Sequence, residues 1–145
     1  MRFGMIGLAA LGMAAMAPAE AIAQQATSFQ LQLVAAEPDD KKCIVTFRAI
    51  NKLGVNLNQV KFEIYIISTT DSFEGSNILG FPAIRANKQK YAKFPLNSEC
   101  SKIGRLDMND FTECQGDKDY LELCNGNIEL STKVQIGFSD EPNGG

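Results

Sequence analysis

The segment Gln59–Thr69 alternates apolar and polar side chains, and this alternation constrains the fold more than any other feature of the chain. One face of the segment carries Val60, Phe62, Ile64 and Ile66, and the other carries Lys61, Glu63, Tyr65, Ile67 and Thr69. A period of two residues indicates a strand with one buried face. Because Ile64–Ile67 is apolar on both faces, it would promote aggregation at an open sheet edge. The sequence therefore predicts a central strand, or one whose outer face is covered.

Six further segments have the composition of strands, and polar segments separate them. The strands are predicted at Ser28–Ala36, Cys43–Lys52, Ile78–Ile84, Gln89–Leu96, Ile103–Asn109 and Ile128–Phe138. The connecting segments are Glu37–Lys42, Asn51–Asn58, Thr70–Asn77, Arg85–Lys88, Asn97–Lys102 with Cys100, and Phe111–Gly126, the last with a helical turn at Asp119–Cys124. Pro82 and Pro95 indicate edge strands, because proline cannot donate to a ladder. About seven strands with almost no helix predict an all-β, antiparallel two-sheet sandwich of the immunoglobulin-like kind.

The N-terminus has the features of a secretory signal peptide. Arg2 precedes an apolar run from Met5 to Ala17, and Ala21-Ile22-Ala23 matches the small-x-small cleavage pattern. Ala17-Pro18-Ala19 and Ala19-Glu20-Ala21 are competing cleavage sites. The alternative, a membrane anchor, requires about 20 apolar residues, more than this run contains. We expect a signal peptide at 1–23, one domain at 24–139 and a disordered tail at 140–145. We therefore expect a periplasmic or secreted protein with no membrane span after signal removal.

Four cysteines, Cys43, Cys100, Cys114 and Cys124, follow the predicted signal. An even number of cysteines in an exported protein indicates two disulfides, for which three pairings are possible. We favour Cys43–Cys100 with Cys114–Cys124, since the second pair would staple a short loop and the first would tie an early strand to a late loop. The spacing contains no Cys-x2-Cys knuckle, so neither a zinc site nor a redox pair is predicted.

The composition excludes several classes of function. The 145 residues include no histidine, which removes Ser-His-Asp and Cys-His nucleophiles and histidine metal ligands. The net charge is −3 and no Lys/Arg cluster is present, which argues against a nucleic-acid surface. We expect no catalysis and no cofactor.

One oxygen-rich stretch could hold calcium in principle. It contains Asp107, Asn109, Asp110, Glu113, Asp117, Asp119 and Glu122. Its spacing does not match an EF-hand loop, because Phe111 and Thr112 occupy the positions of a ligand and of the turn glycine. We predict a solvated loop and no metal, and we keep a small-ligand or calcium-binding periplasmic module as the alternative function.

Two sets of residues resemble known bacterial proteins. Asn51-x-x-Gly54-x-x-Leu57-x-x-Val60-x-Phe62-x-Ile64 resembles the passage between the second and third strands of bacterial extracellular immunoglobulin-like modules. Cys100-x-x-Ile103-Gly104-Arg105, Asn109-Asp110-Phe111, Cys114-x-Gly116 and Cys124 resemble small secreted alphaproteobacterial proteins of unknown function, named only for a Tat-type signal sequence. This chain has no twin arginine in its signal. The resemblance implies export, the sandwich and the disulfides, and adds no site.

The outer face of Gln59–Thr69 is the predicted functional surface. Tyr65 and Ile67 should be exposed if Phe62, Ile64 and Ile66 point into the core, and with Tyr91 they could form an apolar patch. Such a patch would bind an unknown protein or envelope component. We therefore expect an exported, non-catalytic protein that acts through surface contacts.

The signal assignment predicts cleavage before Gln24. Intact-mass measurement of the exported protein should give the mass of residues 24–145, because signal peptidase cuts after the small-x-small pattern. A mature product that still begins at Met1 would contradict the signal assignment.

Overall fold

The described part of the chain forms eight strands and one short helix. The computed structural model describes Gly12 and residues 27–140. The strands are β1 (Ser28–Asp39), β2 (Lys42–Lys52), β3 (Gln59–Ser68), β4 (Phe73–Phe81), β5 (Gln89–Leu96), β6 (Ile103–Gln115), β7 (Ile128–Thr132) and β8 (Gly137–Asp140). A 3-10 turn spans Cys100–Lys102 and the helix α1 spans Leu121–Gly126. The predicted signal peptide lies outside the described residues except for Gly12.

The strands form two four-stranded sheets. Sheet I has the order β5-β2-β1-β7 and sheet II the order β4-β3-β6-β8. Antiparallel pairs join β1 to β2, β2 to β5, β3 to β4 and β3 to β6, whereas β1–β7 and β6–β8 are parallel. The first, second and fifth strands share one sheet, and the third and sixth share the other, as in immunoglobulin-like domains. The predicted two-sheet sandwich is confirmed, with two parallel pairs at its rim.

The core lies between the inner faces of the sheets. The predicted inward sets are buried in β1 (Phe29, Leu31, Leu33), β2 (Cys43, Val45, Phe47, Ala49) and β3 (Val60, Phe62, Ile64, Ile66). Phe47 of sheet I meets Phe62 of sheet II edge to face, with ring centroids 5.7 Å apart. This geometry is preferred by aromatic pairs and adds to the burial of their apolar area.

Both predicted disulfides are present. Cys43 at the start of β2 binds Cys100, 57 residues away, and Cys114 in β6 binds Cys124 in α1, 10 residues away. The first disulfide closes one end of the sandwich, and the second fixes α1 against β6. Two disulfides are typical of an oxidising, non-cytoplasmic compartment.

The predicted single strand Ile128–Phe138 is in fact two strands in different sheets. β7 pairs with β1 in sheet I, and β8 pairs with β6 in sheet II. Between them, the Lys133 amide donates to Leu33 O at 2.8 Å, and the Thr132 hydroxyl donates to Ile136 O at 2.8 Å. Asp140, expected to begin the tail, is the last residue of β8. Residues 141–145 lie outside the described part of the chain.

The bounds of β1, β4 and β6 differ from the prediction by three or more residues, and β4 ends at Phe81 where the sequence predicts Ile84. β1 continues through Glu37–Asp39, so the β1–β2 connection is a tight turn at Asp40-Lys41, where Asp40 has a positive φ of 55°. β4 begins at Phe73, inside the segment Thr70–Asn77 for which the sequence predicts a loop. β6 extends to Gln115, into the predicted irregular segment. Register shifts occur where β3 pairs with β4 and where it pairs with β6. These shifts interrupt the period of two from which a strand is predicted.

A buried asparagine organises the connection between β2 and β3, which carries the chain from sheet I to sheet II. Asn51 Nδ2 donates to Val55 O at 2.8 Å and to Ile84 O at 3.0 Å, and its Oδ1 accepts from the Leu53 amide at 3.0 Å. Gly54 has a φ of 81°, a conformation that favours glycine. Leu57, buried in the core, then directs the chain into β3.

Asn51→Ala should destabilise the domain by about 2–4 kcal/mol, because it leaves three buried or part-buried backbone groups without their partner. Asn56→Ala is the matched control, since exposed Asn56 makes one hydrogen bond, from the Ala86 amide. That control should cost less than about 1 kcal/mol. Urea unfolding of both variants measures the difference, and equal losses would contradict the organising role of Asn51.

Candidate functional site

The outer face of sheet II is built from β3 and its two neighbours. β3 lies between β4 and β6, so the predicted central strand is confirmed. Phe62, Ile64 and Ile66 are buried, so the side chains that alternate with them point outward. These outward residues are Lys61, Glu63 and Tyr65. Across β3, Tyr65 is aligned with Ser76 of β4 and with Asp107 of β6.

Ile67 is buried, contrary to the predicted exposure. A register shift lies between Ile66 and Ile67, and both residues are buried, with Ile67 only 8% exposed. Ile67 is aligned with Phe73 on β4 and Arg105 on β6. Arg105, which is aligned with Ile67, forms an ion pair with Asp71 in the β3–β4 turn. The chain itself therefore covers Ile67.

Arg105 connects three parts of sheet II through charge-assisted hydrogen bonds. Its Nε donates to both carboxylate oxygens of Asp107, at 3.0 and 3.2 Å, and another guanidinium nitrogen donates to Asp71. Asp107 is only 3% exposed, so the guanidinium provides the partner that a buried carboxylate requires. The hydrogen bonds with Asp71 and then Asp107 raise the pKa of Arg105 above its ordinary value.

Three other charged groups on this face have polar partners. Lys61 Nζ lies 3.4 Å from a carboxylate oxygen of Glu113, and Asn109 Nδ2 donates to Glu63 Oε1 at 2.7 Å. Pairs of this kind at a surface contribute little to stability, but they leave few unpaired charges beside β4.

Two large apolar side chains remain exposed on β4. Phe73 is 63% exposed and Ile78 is 59% exposed. Phe73 also meets Tyr65 edge to face, with ring centroids 5.6 Å apart. Sequence reasoning missed both residues, because Phe73 falls in a predicted loop and the pattern around Ile78 predicts only a strand. A signal was available in the sequence. Phe73 lies between Ser72 and Glu74, and the residues two positions from Ile78, on the same face of the strand, are Ser76 and Gly80, which are too small to shield it.

β4 is an edge strand, as Pro82 directly after it and Gly80 within it predicted, and no described strand pairs with its other side. We call this unpaired side the β4 edge. Its nine residues carry one charge, that of Glu74. The edge strand β5 instead carries Lys90, Lys93 and Pro95, residue types that typically prevent another strand from pairing with an edge. β7 and β8, the remaining edges, are only five and four residues long. Among the described strands, β4 is therefore the long edge with the least protection.

Tyr91 lies on the opposite side of the molecule. It is 58% exposed on β5 and is aligned with Arg48 of β2, on the outer face of sheet I. Nearby, a shallow groove of about 250 Å³ runs between Gln30, Gln32, Arg48 and Glu129. Gln30 donates to Glu129 at 2.8 Å, and Arg48 donates to Gln89 at 3.0 Å. The structure does not bring Tyr65, Ile67 and Tyr91 together into one patch.

The acidic stretch is divided among several local roles. Asp107 binds Arg105, Glu113 binds Lys61, and Asp119 Oδ1 accepts from the Leu121 amide at the start of α1. Asp117 accepts from the Tyr120 hydroxyl, which raises the pKa of Tyr120. Over the described residues, no group of three or more Asp, Glu or Cys side chains is arranged to hold a metal ion. In the same part of the chain, no helix has the length and hydropathy needed to span a membrane.

Comparisons with known proteins identify a shared fold. The chain is similar to the solved structure of IrmA from Escherichia coli, with a TM-score of 0.57 and 7% sequence identity. The match covers 71% of this chain and 90% of the IrmA chain. No family model matches, and no curated protein matches. The likeness supports the sandwich, whereas the resemblance to the alphaproteobacterial group gains no support.

Ile67→Lys should lower the melting temperature by at least about 5 °C, because a buried apolar side chain is replaced by a charge beside Arg105. Tyr91→Lys is the matched control, since the same substitution at an exposed strand position should change the melting temperature by less than about 2 °C. Thermal unfolding followed by circular dichroism compares the two. A melting temperature of Ile67→Lys equal to that of the control would contradict the coverage of Ile67.

Proposed function

We propose that this is an exported, non-catalytic protein that acts by protein contact, and that the contact is made at the β4 edge. One observation carries the proposal: Phe73 and Ile78 are exposed on a long edge strand with a single charge. Apolar side chains left in water on a surface of this kind are typical of interaction sites.

The backbone of β4 supports strand addition as the mode of contact. An edge strand presents N–H and C=O groups that another extended segment can pair with, while side chains at alternate positions provide specificity. Ile78 and Ser76 would face the added strand on the outer side of sheet II. Burying one side chain of the size of Ile78 contributes about 1.5–3 kcal/mol to such a contact.

The absence of catalysis is supported by the residue content and by the pairing of charged groups. The chain has no histidine to serve as a general base. Two carboxylates of sheet II, those of Asp107 and Glu113, form ion pairs with Arg105 and Lys61, and these pairs lie on a sheet face and not in a cleft. Export is supported by the two disulfides, which persist in oxidising compartments.

Ile78→Lys should abolish capture of the protein's partner while leaving the fold intact. Ile78 is exposed, so its substitution should change stability by no more than about 0.5 kcal/mol. In the contact, the new charge would have to lose its water, which disfavours binding. The measurement is the amount of partner that immobilised mature protein captures, compared for wild type and Ile78→Lys.

Tyr91→Lys is the matched control for this experiment. It introduces the same charge at a similarly exposed strand position, but on the outer face of sheet I. Capture should survive this substitution. Equal capture by Ile78→Lys and wild type would remove the β4 edge as the contact surface, and loss in both variants would show only a general effect of charge.

A further inference from the structure

We infer that the groove on the outer face of sheet I binds a neutral saccharide. The inference goes beyond the proposed function, because the groove and the β4 edge lie on different sheets. The groove has a volume of about 250 Å³, and its polar lining comes from Gln30, Gln32, Arg48, Glu129 and Ser131. Pockets for drug-sized ligands have volumes of about 300–1,000 Å³, so this groove is suited to a smaller group such as one sugar ring.

A row of polar side chains crosses all four strands of sheet I at this groove. The row contains Tyr91 of β5, Arg48 of β2, Gln32 of β1 and Ser131 of β7, each aligned with the next. The residues on either side of Gln32 and of Arg48 in the chain are buried, so these two side chains point to the outer face. Neighbouring strands lie about 4.7–4.9 Å apart, so the row extends for about 14 Å. A row of this length can contact more than one unit of an extended saccharide.

The row has hydrogen-bonding capacity that the described residues do not use. Arg48 Nε donates to Gln89 Oε1 at 3.0 Å, and this contact orients the guanidinium on the sheet. Within the described part of the chain, neither the terminal nitrogens of Arg48 nor the side chains of Gln32 and Ser131 form a hydrogen bond. Arg48 and Gln32 are also half-buried, so a ligand in the groove meets polar groups whose positions are restricted by their neighbours.

The chemistry of this lining fits hydroxyl groups. A guanidinium donates through both of its terminal nitrogens, and an amide side chain both donates and accepts. The oxygens of two adjacent sugar hydroxyls can accept from the Arg48 guanidinium, while the hydroxyls themselves donate to an acceptor such as the Gln32 amide oxygen. The Glu129 carboxylate, which accepts from Gln30 at 2.8 Å, provides a further acceptor.

Other classes of ligand fit the groove less well. Arg48 and Glu129 are the two charged residues that line it, so the lining has no net charge with which to attract an anion. A carboxylate or phosphate bound to Arg48 would also be repelled by the Glu129 carboxylate. An extended peptide cannot add as a strand here, because β1 and β2 are already paired on both sides.

Tyr91 borders the groove with an aromatic ring. It is 58% exposed and is aligned with Arg48 on the adjacent strand. Directly opposite side chains in an antiparallel pair have Cβ atoms about 4.5–5.5 Å apart, so the ring lies beside the guanidinium. The C–H groups on one face of a sugar ring pack on an aromatic ring, whereas the hydroxyls at its edge need polar partners. Tyr91 and the polar row together provide both kinds of contact.

Binding of defined saccharides to the mature protein tests the inference. The probes are maltotriose, cellotriose and the N-acetylglucosamine trimer, each added at millimolar concentration to isotope-labelled protein. At least one of them should shift backbone amide resonances of β1, β2 and β7 in nitrogen–proton correlation spectra. Arg48→Ala should weaken that binding at least about tenfold and Gln32→Ala at least about threefold, because each removes hydrogen bonds to the ligand. Spectra recorded without saccharide show that each variant is folded.

Thr46→Ala is the matched control on the same face. Thr46 lies on β2, two residues from Arg48, but does not line the groove, so this variant should bind with wild-type affinity. Two further variants separate this site from the β4 edge. Tyr91→Lys should weaken saccharide binding at least about threefold while it retains capture of the protein partner. Ile78→Lys should bind saccharide as wild type does, whatever its effect on capture.

Three results would overturn the inference. In the first, none of the three neutral trisaccharides shifts any resonance. In the second, the shifts lie outside sheet I, or they persist unchanged in Arg48→Ala and Gln32→Ala. In the third, the acidic trisaccharide trigalacturonate shifts the resonances of the groove and the neutral probes do not, which would assign the groove to an anion. Retention of partner capture by Ile78→Lys would remove the β4 edge and leave the saccharide site unaffected.

Discussion

The contact between Phe47 and Phe62 joins the two sheets, and it holds the inward face of β3 against β2. Phe47 also meets Phe138, and Phe62 meets Phe81 and Phe111, so the two rings connect four strands of sheet II to β2. Once Phe62 points inward, the period of two in β3 leaves its neighbours on the outer face. The exposed surface is thus a consequence of how the core is packed.

Sequence patterns identified the elements in which this period is unbroken. Residues close in sequence predicted the inward faces of β2 and β3, both bounds of β5, and the edge positions of β4 and β5. The even number of cysteines predicted the two disulfides. The division of Ile128–Phe138 could not be read in the same way. Thr132, Val134 and Ile136 continue the alternation while the chain crosses between sheets, because both β7 and β8 direct apolar residues inward. Hydrophobic periodicity reports burial but does not report which sheet a residue joins.

The burial of Ile67 shows the same limit for the candidate site. Its own strand gave Ile67 an outward position, but a register shift follows Ile66, and Ile67 is buried where it is aligned with Arg105, the partner of Asp71. These residues are far apart in sequence, so no pattern within β3 contains the information. Phe73 was missed for a related reason, because the bulge at the start of β4 hides the alternation that would mark it as a strand residue.

The two disulfides do not explain why β4 has exposed apolar residues. Cys43–Cys100 ties β2 to the end of the sandwich, and Cys114–Cys124 ties β6 to α1, so neither disulfide involves β4. The inward residues Leu79 and Phe81 hold β4 on the core, whereas Ile78 contributes little to that packing because it is 59% exposed. A strand that needs only its inner face for stability would tolerate lysine at position 78, as β5 tolerates Lys90 and Lys93 at its own edge. An apolar side chain on an edge that lacks lysine and proline therefore supports the proposal that this surface is covered when the protein functions.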